Sequence, residues 1–309
     1  MCAVALSYRD PDRTALAVLG SPIAHSLSPT LHSAAYAELG LPFSYNTHEV
    51  PAGGLAAFVA GLGPRQRGLS LTMPLKREVL PLLDRTTALV DELGVANTLL
   101  LRSENDRIIR AGANTDVEGL VRPISAIGCA PVDVTILGGG ATAVSALMAA
   151  FQVGARLARV FVRNPGRAEP LTTLATRLGV AIEVHPLIEV SQIGPLGFVI
   201  STLPGGVADD LSLVPTNPDA VLFDVTYKPS KTAIASRWEE AGGRVLSGLD
   251  MLTEQAIGQI RFFLTGDQDE PLTDEDEVRR SMRIAVGLPP TITPSAVHEL
   301  RHELTHHVV

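Results

Sequence analysis

The chain has 309 residues, 46% of them hydrophobic and 19% charged, and carries a formal net charge of −8. At about 150 residues per domain this length predicts two globular domains that need no covalent staples. The negative balance excludes the basic field that draws a protein to a phosphate backbone, so no nucleic-acid partner is expected.

Cys2 and Cys129 are the only cysteines. They cannot build a disulfide framework and point to a reducing compartment. The first twenty residues lack a basic segment followed by a long apolar core, so no secretory signal is expected. No run reaches the roughly 18–20 apolar residues of a membrane span. The longest candidate, Ala141 to Phe151, is interrupted by Thr142 and Ser145. The expectation is a cytoplasmic protein with no membrane partner.

In chain order, Ala15–Gly20 reads as a strand, Pro29–Leu39 as a helix and Phe43–Val50 as a strand. A helix over Gly54–Gly61, a strand over Gly68–Met73 and a helix from about Lys76 follow. The alternation restarts with strands at Val132–Leu137, Arg159–Val162, Phe198–Ser201 and Val221–Val225, separated by helical patterns. Such alternation predicts α/β architecture, with parallel sheets wrapped by helices. Val117–Pro131, punctuated by Pro123, Gly128 and Pro131, reads as one boundary, and Ser247–Gly248 as another. A long helix over about Asp250–Leu264 comes next. Asp267–Glu277, with seven acidic residues, reads as a solvated connector, and a histidine-rich tail begins at Pro289.

The strand Val132–Leu137 runs straight into Gly138-Gly139-Gly140-Ala141 and a small-residue helix. A turn without side chains lets a pyrophosphate approach the backbone, while the helix N-terminus supplies oriented N–H groups and a positive dipole end. Where the next strand ends, about 25 residues on, a binder of a ribose 2′-hydroxyl carries Asp or Glu. This chain has Val162-Arg163-Asn164 and then Arg167. Guanidinium groups fork onto phosphate oxygens that a carboxylate would repel, so the cofactor expected is NADP rather than NAD.

Polar groups stand at element ends in the N-terminal half. Ser26 and Ser28-Pro29 enter a helix, which fits a cap with proline at the first turn and fits equally a seat for a substrate carboxylate. Ser70-Leu71-Thr72-Met73-Pro74-Leu75-Lys76 ends a strand with a single lysine. Gly94-Val95-Ala96-Asn97-Thr98 and Gly112-Ala113-Asn114-Thr115-Asp116 come next. Beyond the glycine turn lie Asp224-Val225-Thr226-Tyr227-Lys228-Pro229 with Thr232, and Ser247-Gly248-Leu249-Asp250-Met251-Leu252 leading to Gln255.

In this order, from Val18 to about Gly266, these motifs resemble the shikimate dehydrogenase family. The resemblance implies reversible NADPH-dependent reduction of 3-dehydroshikimate to shikimate, with Lys76 and Asp116 as the catalytic pair. It assigns Ser26 and Ser28 to the substrate carboxylate, and Thr72, Asn97, Tyr227 and Gln255 to the ring hydroxyls and carboxylate. For the cofactor, Gly138, Gly139, Gly140, Ala141, Arg163, Asn164, Arg167 and Gly248 are expected. The residue types suit the chemistry, since an ammonium can stabilise and protonate an oxygen that gains charge as hydride reaches its carbon.

The chain departs from the family pattern at three places. Ser70 stands where many relatives carry Asn, so one ring-hydroxyl contact is expected to be shorter or water-mediated. Ser201-Thr202-Leu203-Pro204 replaces the usual Asn-Ala/Thr-Thr-Pro, and Val162 replaces the asparagine before the cofactor arginine.

The resemblance further implies a substrate domain of residues 1–115, a Rossmann-like NADP domain of 116–248, C-terminal helices of 249–288 returning to the first domain, a tail of 289–309, and a cleft between the domains. Either a monomer or a homodimer is compatible with it. An NAD-dependent quinate/shikimate dehydrogenase, an aminoshikimate dehydrogenase and a non-catalytic NADP-binding sensor remain as alternatives. The tail contains H-E-x-x-H twice, at His298–His302 and His302–His306. A catalytic zinc helix needs a cleft and a third ligand, so a terminal solvated helix is expected instead and no metal is assigned. His25 and His32 read as packing or surface histidines, and Trp238 as a residue that packs on a helix.

Overall fold

The computed structural model describes residues 14–105 and 107–294. The tail histidines and Cys2 lie outside them. The chain divides into two compact units: one runs to Gly119 and resumes over Thr253–Thr291, the other takes in Leu120–Leu252 and the segment from Ile292.

The first unit contains β1 (Ala15–Gly20), α1 (Ser28–Glu38), β2 (Ser44–Glu49), α2 (Leu55–Ala60), β3 (Gln66–Leu71), β4 (Arg85–Thr86), α3 (Ala88–Leu93), β5 (Thr98–Glu104), β6 (Arg107–Ala113) and the start of α4 (Asp116–Ala126). Its sheet has the order β2-β1-β3-β5-β6-β4. β1 lies parallel to β2 and β3, but β5 is antiparallel to both β3 and β6. The all-parallel expectation therefore fails here. The link from Glu104 to Arg107 is far too short for the crossover of a dozen or more residues that parallel neighbours require. β1 is buried nearly throughout and sits inside the sheet, whereas β2 buries only Tyr45 and forms an edge. Leu19, Leu55, Leu69, Leu71, Leu75 and Leu99 are among the core residues of this unit.

No α-helix starts at Lys76. Residues 73–79 form a succession of turns that leads into a single 3₁₀ turn over Leu80–Leu82. Pro81 has no N–H to donate, and its ring crowds the carbonyl four residues back, which disfavours the continuation of these turns as an α-helix. Pro123, in contrast, is accommodated inside α4 and does not break the chain there.

The second unit contains β7 (Asp133–Leu137), α5 (Ala141–Gln152), β8 (Leu157–Val162), α6 (Glu169–Leu178), β9 (Ala181–Pro186), β10 (Phe198–Ser201), β11 (Val221–Asp224), α7 (Ala233–Glu240) and β12 (Arg244–Ser247). All its strands are parallel, in the order β12-β11-β10-β7-β8-β9. Counted from β7 this is the 3-2-1-4-5-6 order of a dinucleotide-binding sheet, whose direction reverses between β7 and β10. Trp238 of α7 is fully buried in the core, its indole N–H directed at the Ala220 carbonyl.

α8 (Gly248–Thr265) and α9 (Glu275–Ala285) complete the fold. The acidic stretch is more than a connector, because its last three residues form the first turn of α9, where carboxylates oppose the positive helix end. Glu275 among them is drawn inward by Arg261. Arg67 reaches the other end of α8, donating to the Phe263 and Leu264 carbonyls and satisfying acceptors that a helix C-terminus leaves open. No described helix is long and apolar enough to cross a membrane.

Candidate active site

Lys76, in the turns after β3, donates from Nζ to Asp116 Oδ2 at 2.5 Å, and the two side chains are 11% and 3% exposed. Asp116 opens α4, so its carboxylate lies at the positive end of a helix dipole. Its backbone N–H is held by Asn114 Oδ1 at 3.0 Å, and Asn114 itself donates to the Val95 carbonyl. Asn97 Nδ2 stands 2.8 Å from Asp116 Oδ1, 2.9 Å from Thr115 Oγ1 and 3.4 Å from Gln255 Oε1. Its Oδ1 accepts from the Thr115 N–H and the Thr98 hydroxyl. Lys76, Asp116, Asn97 and Gln255 thus form one connected, buried polar cluster.

The backbone fixes this cluster from both sides. The Leu71 N–H donates to the Asn97 carbonyl at 2.7 Å, and the Ala96 N–H to the Lys76 carbonyl at 2.9 Å. Thr72, half-buried, follows Leu71 directly and is held by its own N–H to the Leu19 carbonyl.

Ser28 is the first residue of α1 rather than its cap, and the capping position, Leu27, makes no side-chain bond. Ser26 Oγ instead accepts the Ser28 N–H at 3.3 Å. Ser28 is buried, and the phenol of Tyr45 donates to Ser70 Oγ at 2.7 Å. Ser70 passes its own proton to Gln259 Oε1 at 2.7 Å, and Gln259 Nε2 donates to the Asn97 carbonyl at 3.3 Å. Ser70 thus has internal partners for its proton and for one of its lone pairs.

Sequence reasoning missed Tyr45 and Gln259. Signals for both existed. Gln259 lies one helical turn beyond Gln255 on the same face of α8, and Tyr45 is the large aromatic of an otherwise polar strand.

His32 completes this network. It is fully buried, stacked on Tyr45 with ring centroids 3.9 Å apart, and its nitrogens face Tyr36 Oη and Gln259 Oε1. Burial pushes its pKa down to about 3, against a smaller upward pull from Gln259. The ring is neutral when folded, whereas the unfolded chain takes up a proton below about pH 6.5. Stability contributed by neutral His32 is fully present above pH 6.5 and lost as the pH falls towards 3. Burial raises the Asp224 carboxyl and acts in the opposite sense, so the comparison needs a variant. Between pH 6.5 and 4.5 the wild type is expected to lose about 1.4 kcal/mol per pH unit relative to His32→Gln, read by urea unfolding. Parallel pH profiles for the two proteins would refute this account.

In the second unit Gly138 ends β7 with φ +108°, and a Cβ there would stand 2.4 Å from Thr202 Oγ1. Only glycine serves both the backbone angle and the approach of the two chain ends at the point where strand order reverses. A Cβ on Gly139 would meet Val162, while the space around Gly140 is open and Ala141 begins α5. Arg163, Asn164 and Arg167 are exposed just beyond β8. Asn164 Oδ1 accepts the Gly166 N–H and shapes the turn that carries both arginines. Neither guanidinium has a hydrogen-bond or ion-pair partner among the described residues. An open glycine turn, a helix N-terminus and two unengaged cations fit a dinucleotide bearing a 2′-phosphate.

Gly248 has a packing reason of its own, since a Cβ there would lie 2.2 Å from the Val225 carbonyl oxygen. Tyr227 lies in the loop after β11. Asp224 ties that loop down by accepting from the Thr226 N–H and, at 2.5 Å, from the Thr232 hydroxyl that caps α7. Among the described residues no group of three His, Cys, Asp or Glu side chains could hold a metal ion.

A nucleotide-type parallel sheet in one unit and a buried lysine–aspartate pair in the other define a two-unit oxidoreductase. Residues 18–99 match the family described as the shikimate dehydrogenase substrate binding domain. The chain is 34% identical over 259 residues to the shikimate dehydrogenase (NADP(+)) of Citrifermentans bemidjiense, covering 80% of this chain and 88% of that protein. The crystal structure of Mycobacterium tuberculosis shikimate dehydrogenase aligns with TM-score 0.74 and 35% identity over 88% of this chain and 98% of that one. A Thermus thermophilus shikimate 5-dehydrogenase, solved in complex with NADP(H) and shikimate, aligns with TM-score 0.70 and 28% identity over 88% and 99% of the two chains. The chain belongs to the shikimate dehydrogenase family.

Proposed function

We propose that this protein is an NADP-dependent shikimate dehydrogenase, reducing 3-dehydroshikimate reversibly to shikimate on the route to chorismate and the aromatic amino acids. The observation that carries the reading is the buried 2.5 Å contact between Lys76 and Asp116. NADPH, when bound, supplies the hydride that reaches the carbonyl carbon of the substrate. Lys76 then donates its proton to the carbonyl oxygen as that oxygen gains charge, giving the alcohol. Asp116 orients the ammonium through Oδ2, and Asn97 fixes Oδ1 so that the carboxylate cannot rotate away.

Ser26 and Ser28 would take the substrate carboxylate as hydroxyl donors, helped by the positive end of α1. Thr72, Asn97, Tyr227 and Gln255 are assigned to the ring hydroxyls and carboxylate. The assignment is supported for Asn97 and Gln255 by their direct contact with each other, and for Asn97 by its bond to Asp116. For the cofactor, Gly138, Gly139, Gly140 and Ala141 would cradle the pyrophosphate, and Arg163, Asn164 and Arg167 the 2′-phosphate. Lys76, Asp116 and their partners come from one chain, so the reading holds for a monomer and a homodimer alike. A cytoplasmic location is favoured by the free Cys129 thiol and by the low cysteine content.

Initial rates with shikimate and quinate, each against NADP and NAD, test the reading. The highest kcat/KM is expected for shikimate with NADP. The double substitution Arg163→Ala, Arg167→Ala should raise KM for NADP by about 10²-fold, the loss of two charge-assisted contacts, and leave KM for NAD almost unchanged. A wild-type preference for NAD would overturn the cofactor assignment. Binding of NADP without any turnover would favour the sensor.

A further inference from the structure

α8 turns one side towards the Asn97–Asp116 cluster, with Gln255, Gly258 and Gln259 at helical spacing along it. The two amides reach Asn97. Gln255 Oε1 lies 3.4 Å from its Nδ2, and Gln259 Nε2 donates to its carbonyl at 3.3 Å. Between them, a Cβ on Gly258 would stand 3.0 Å from Thr115 Cγ2, 3.1 Å from Thr115 Cβ and 3.4 Å from Glu118 Oε2. The first two distances are shorter than carbon atoms in good contact keep. Glycine inside a helix is less favourable than alanine, and Gly258 has no left-handed backbone angle that would call for it. What its lone hydrogen provides is space.

Thr115 and Glu118 belong to the same stretch of chain as Asp116, and both are fastened. Thr115 is fully buried, accepts the Asn97 amide on Oγ1 at 2.9 Å and gives its N–H to Asn97 Oδ1 at 3.0 Å. Glu118 is bonded through both oxygens to Arg261, three residues beyond Gly258 on α8. With Glu118 pinned, a methyl at position 258 would push the Thr115 end of the turn by a few tenths of an ångström. That end carries Asp116, whose carboxylate meets Asn97 at 2.8 Å and Lys76 at 2.5 Å.

We propose that Gly258 is a positioning residue: the side chain it lacks sets how closely α8 approaches the first turn of α4, and thereby the alignment of Asp116 with Lys76. The proposal rests on the reading of Lys76 and Asp116 as the proton-transfer pair. Gly258 acts through Thr115 and takes no part in the proton transfer itself.

Gly258→Ala adds one methyl and removes no hydrogen bond. In the otherwise intact protein kcat for shikimate should fall about 3–10-fold, because a misplacement of about 1 Å costs roughly 10²-fold and a few tenths correspondingly less. KM for NADP should stay unchanged. Alanine favours the helix, so the variant should fold, which thermal unfolding checks. Rates are taken far below the unfolding midpoint, where a merely structural loss of stability leaves kcat untouched. Thr115→Ser removes the methyl nearest to the added carbon and keeps the hydroxyl that faces Asn97. Adding Gly258→Ala to Thr115→Ser should therefore lower kcat by no more than about 2-fold, measured against Thr115→Ser alone.

An unchanged kcat in Gly258→Ala, with Lys76→Met impaired, overturns the proposal and leaves the proton-transfer reading standing. The same fall with and without Thr115→Ser puts the effect elsewhere than at Thr115 and overturns it too, as does an equal rise in KM for NADP. A Lys76→Met protein with the kcat of the wild type removes the proton-transfer reading and the proposal with it.

Discussion

Replacing Lys76 with Met should lower kcat for shikimate oxidation by about 10²–10⁴-fold, the usual contribution of one positioned proton-transfer group, with KM for shikimate changed only a few-fold. The asymmetry follows from where the ammonium acts. Charge on the substrate oxygen is small in the ground state and large as hydride transfers, so a donor aimed at that oxygen stabilises the transition state more than the bound substrate. Met retains most of the lysine stem and keeps the buried site filled. It also leaves Asp116 Oδ2 without its cation, so circular dichroism must accompany the kinetics to show that the variant is folded. Asn97 still holds Oδ1 and keeps the carboxylate oriented. A kcat equal to that of the wild type in a folded Lys76→Met protein would end the proposed chemistry.

The largest expected loss of stability belongs to Arg261. Its guanidinium, 3% exposed, bonds both oxygens of Glu118 at 2.9 and 3.0 Å and both oxygens of Glu275 at 2.6 and 2.7 Å. Arg279 adds a second cation that reaches Glu254 and Glu275. These contacts join α4, α8 and α9 within one unit. Substituting Arg261 with Met leaves two carboxylates facing each other with reduced compensation, and removing one partner of such a buried set costs about 3–5 kcal/mol. At about 2–4 °C per kcal/mol the unfolding midpoint should drop by roughly 10 °C. A shift within a degree or two would show the network to be energetically neutral.

The same network sets an acid limit. Burial pushes the Glu275 carboxyl upward, but bonds from Arg261, the Leu272 amide and Arg279, together with the Arg261 charge, outweigh it and hold the pKa down at about 2. Because the folded value lies below the unfolded one, this stabilisation is complete above about pH 4.5 and disappears as the pH falls through 2.

Much of this was legible in the sequence. Ala15–Gly20 and Phe198–Ser201 are strands over the residues their apolar runs suggested, and the glycine turn sits where strand, turn and helix occur in succession. β5 and β6 escaped notice because Leu99–Leu101 is an unbroken apolar run while Arg107–Ala113 alternates poorly, so neither carries the period-two signal of a half-buried strand. β12, Arg244–Ser247, has only Val245 and Leu246 as apolar residues and so offers no run to read. The turns around Lys76 were taken for a helix because Leu75, Val79 and Leu80 have helical spacing. Pro81 overrides that pattern from its far end.

In the site, the lysine–aspartate pair is implied by the family resemblance alone, since each residue taken singly reads as part of a turn or a helix start. The Tyr45–Ser70–Gln259 chain is not so implied. Its members lie far apart in the sequence and are ordinary residue types that acquire meaning only when the sheet brings them into contact.

The enclosing unit is built from two pieces of chain, the second of which begins at Thr253. Gln255, Gln259 and Phe263 all belong to that later piece, whereas Lys76, Asn97 and Asp116 belong to the earlier one. A ribosome delivers Leu120–Leu252, which carries every strand of the Rossmann-like unit, as one stretch, so that stretch can settle while synthesis continues. The first unit must wait, with the part of β3 around Arg67 and Gly68 that meets Phe263 uncovered, until α8 emerges. Nascent chains stalled before that helix therefore present the stretch most exposed to misassembly, and the order of birth along the polypeptide is the reverse of the order in which the two halves mature.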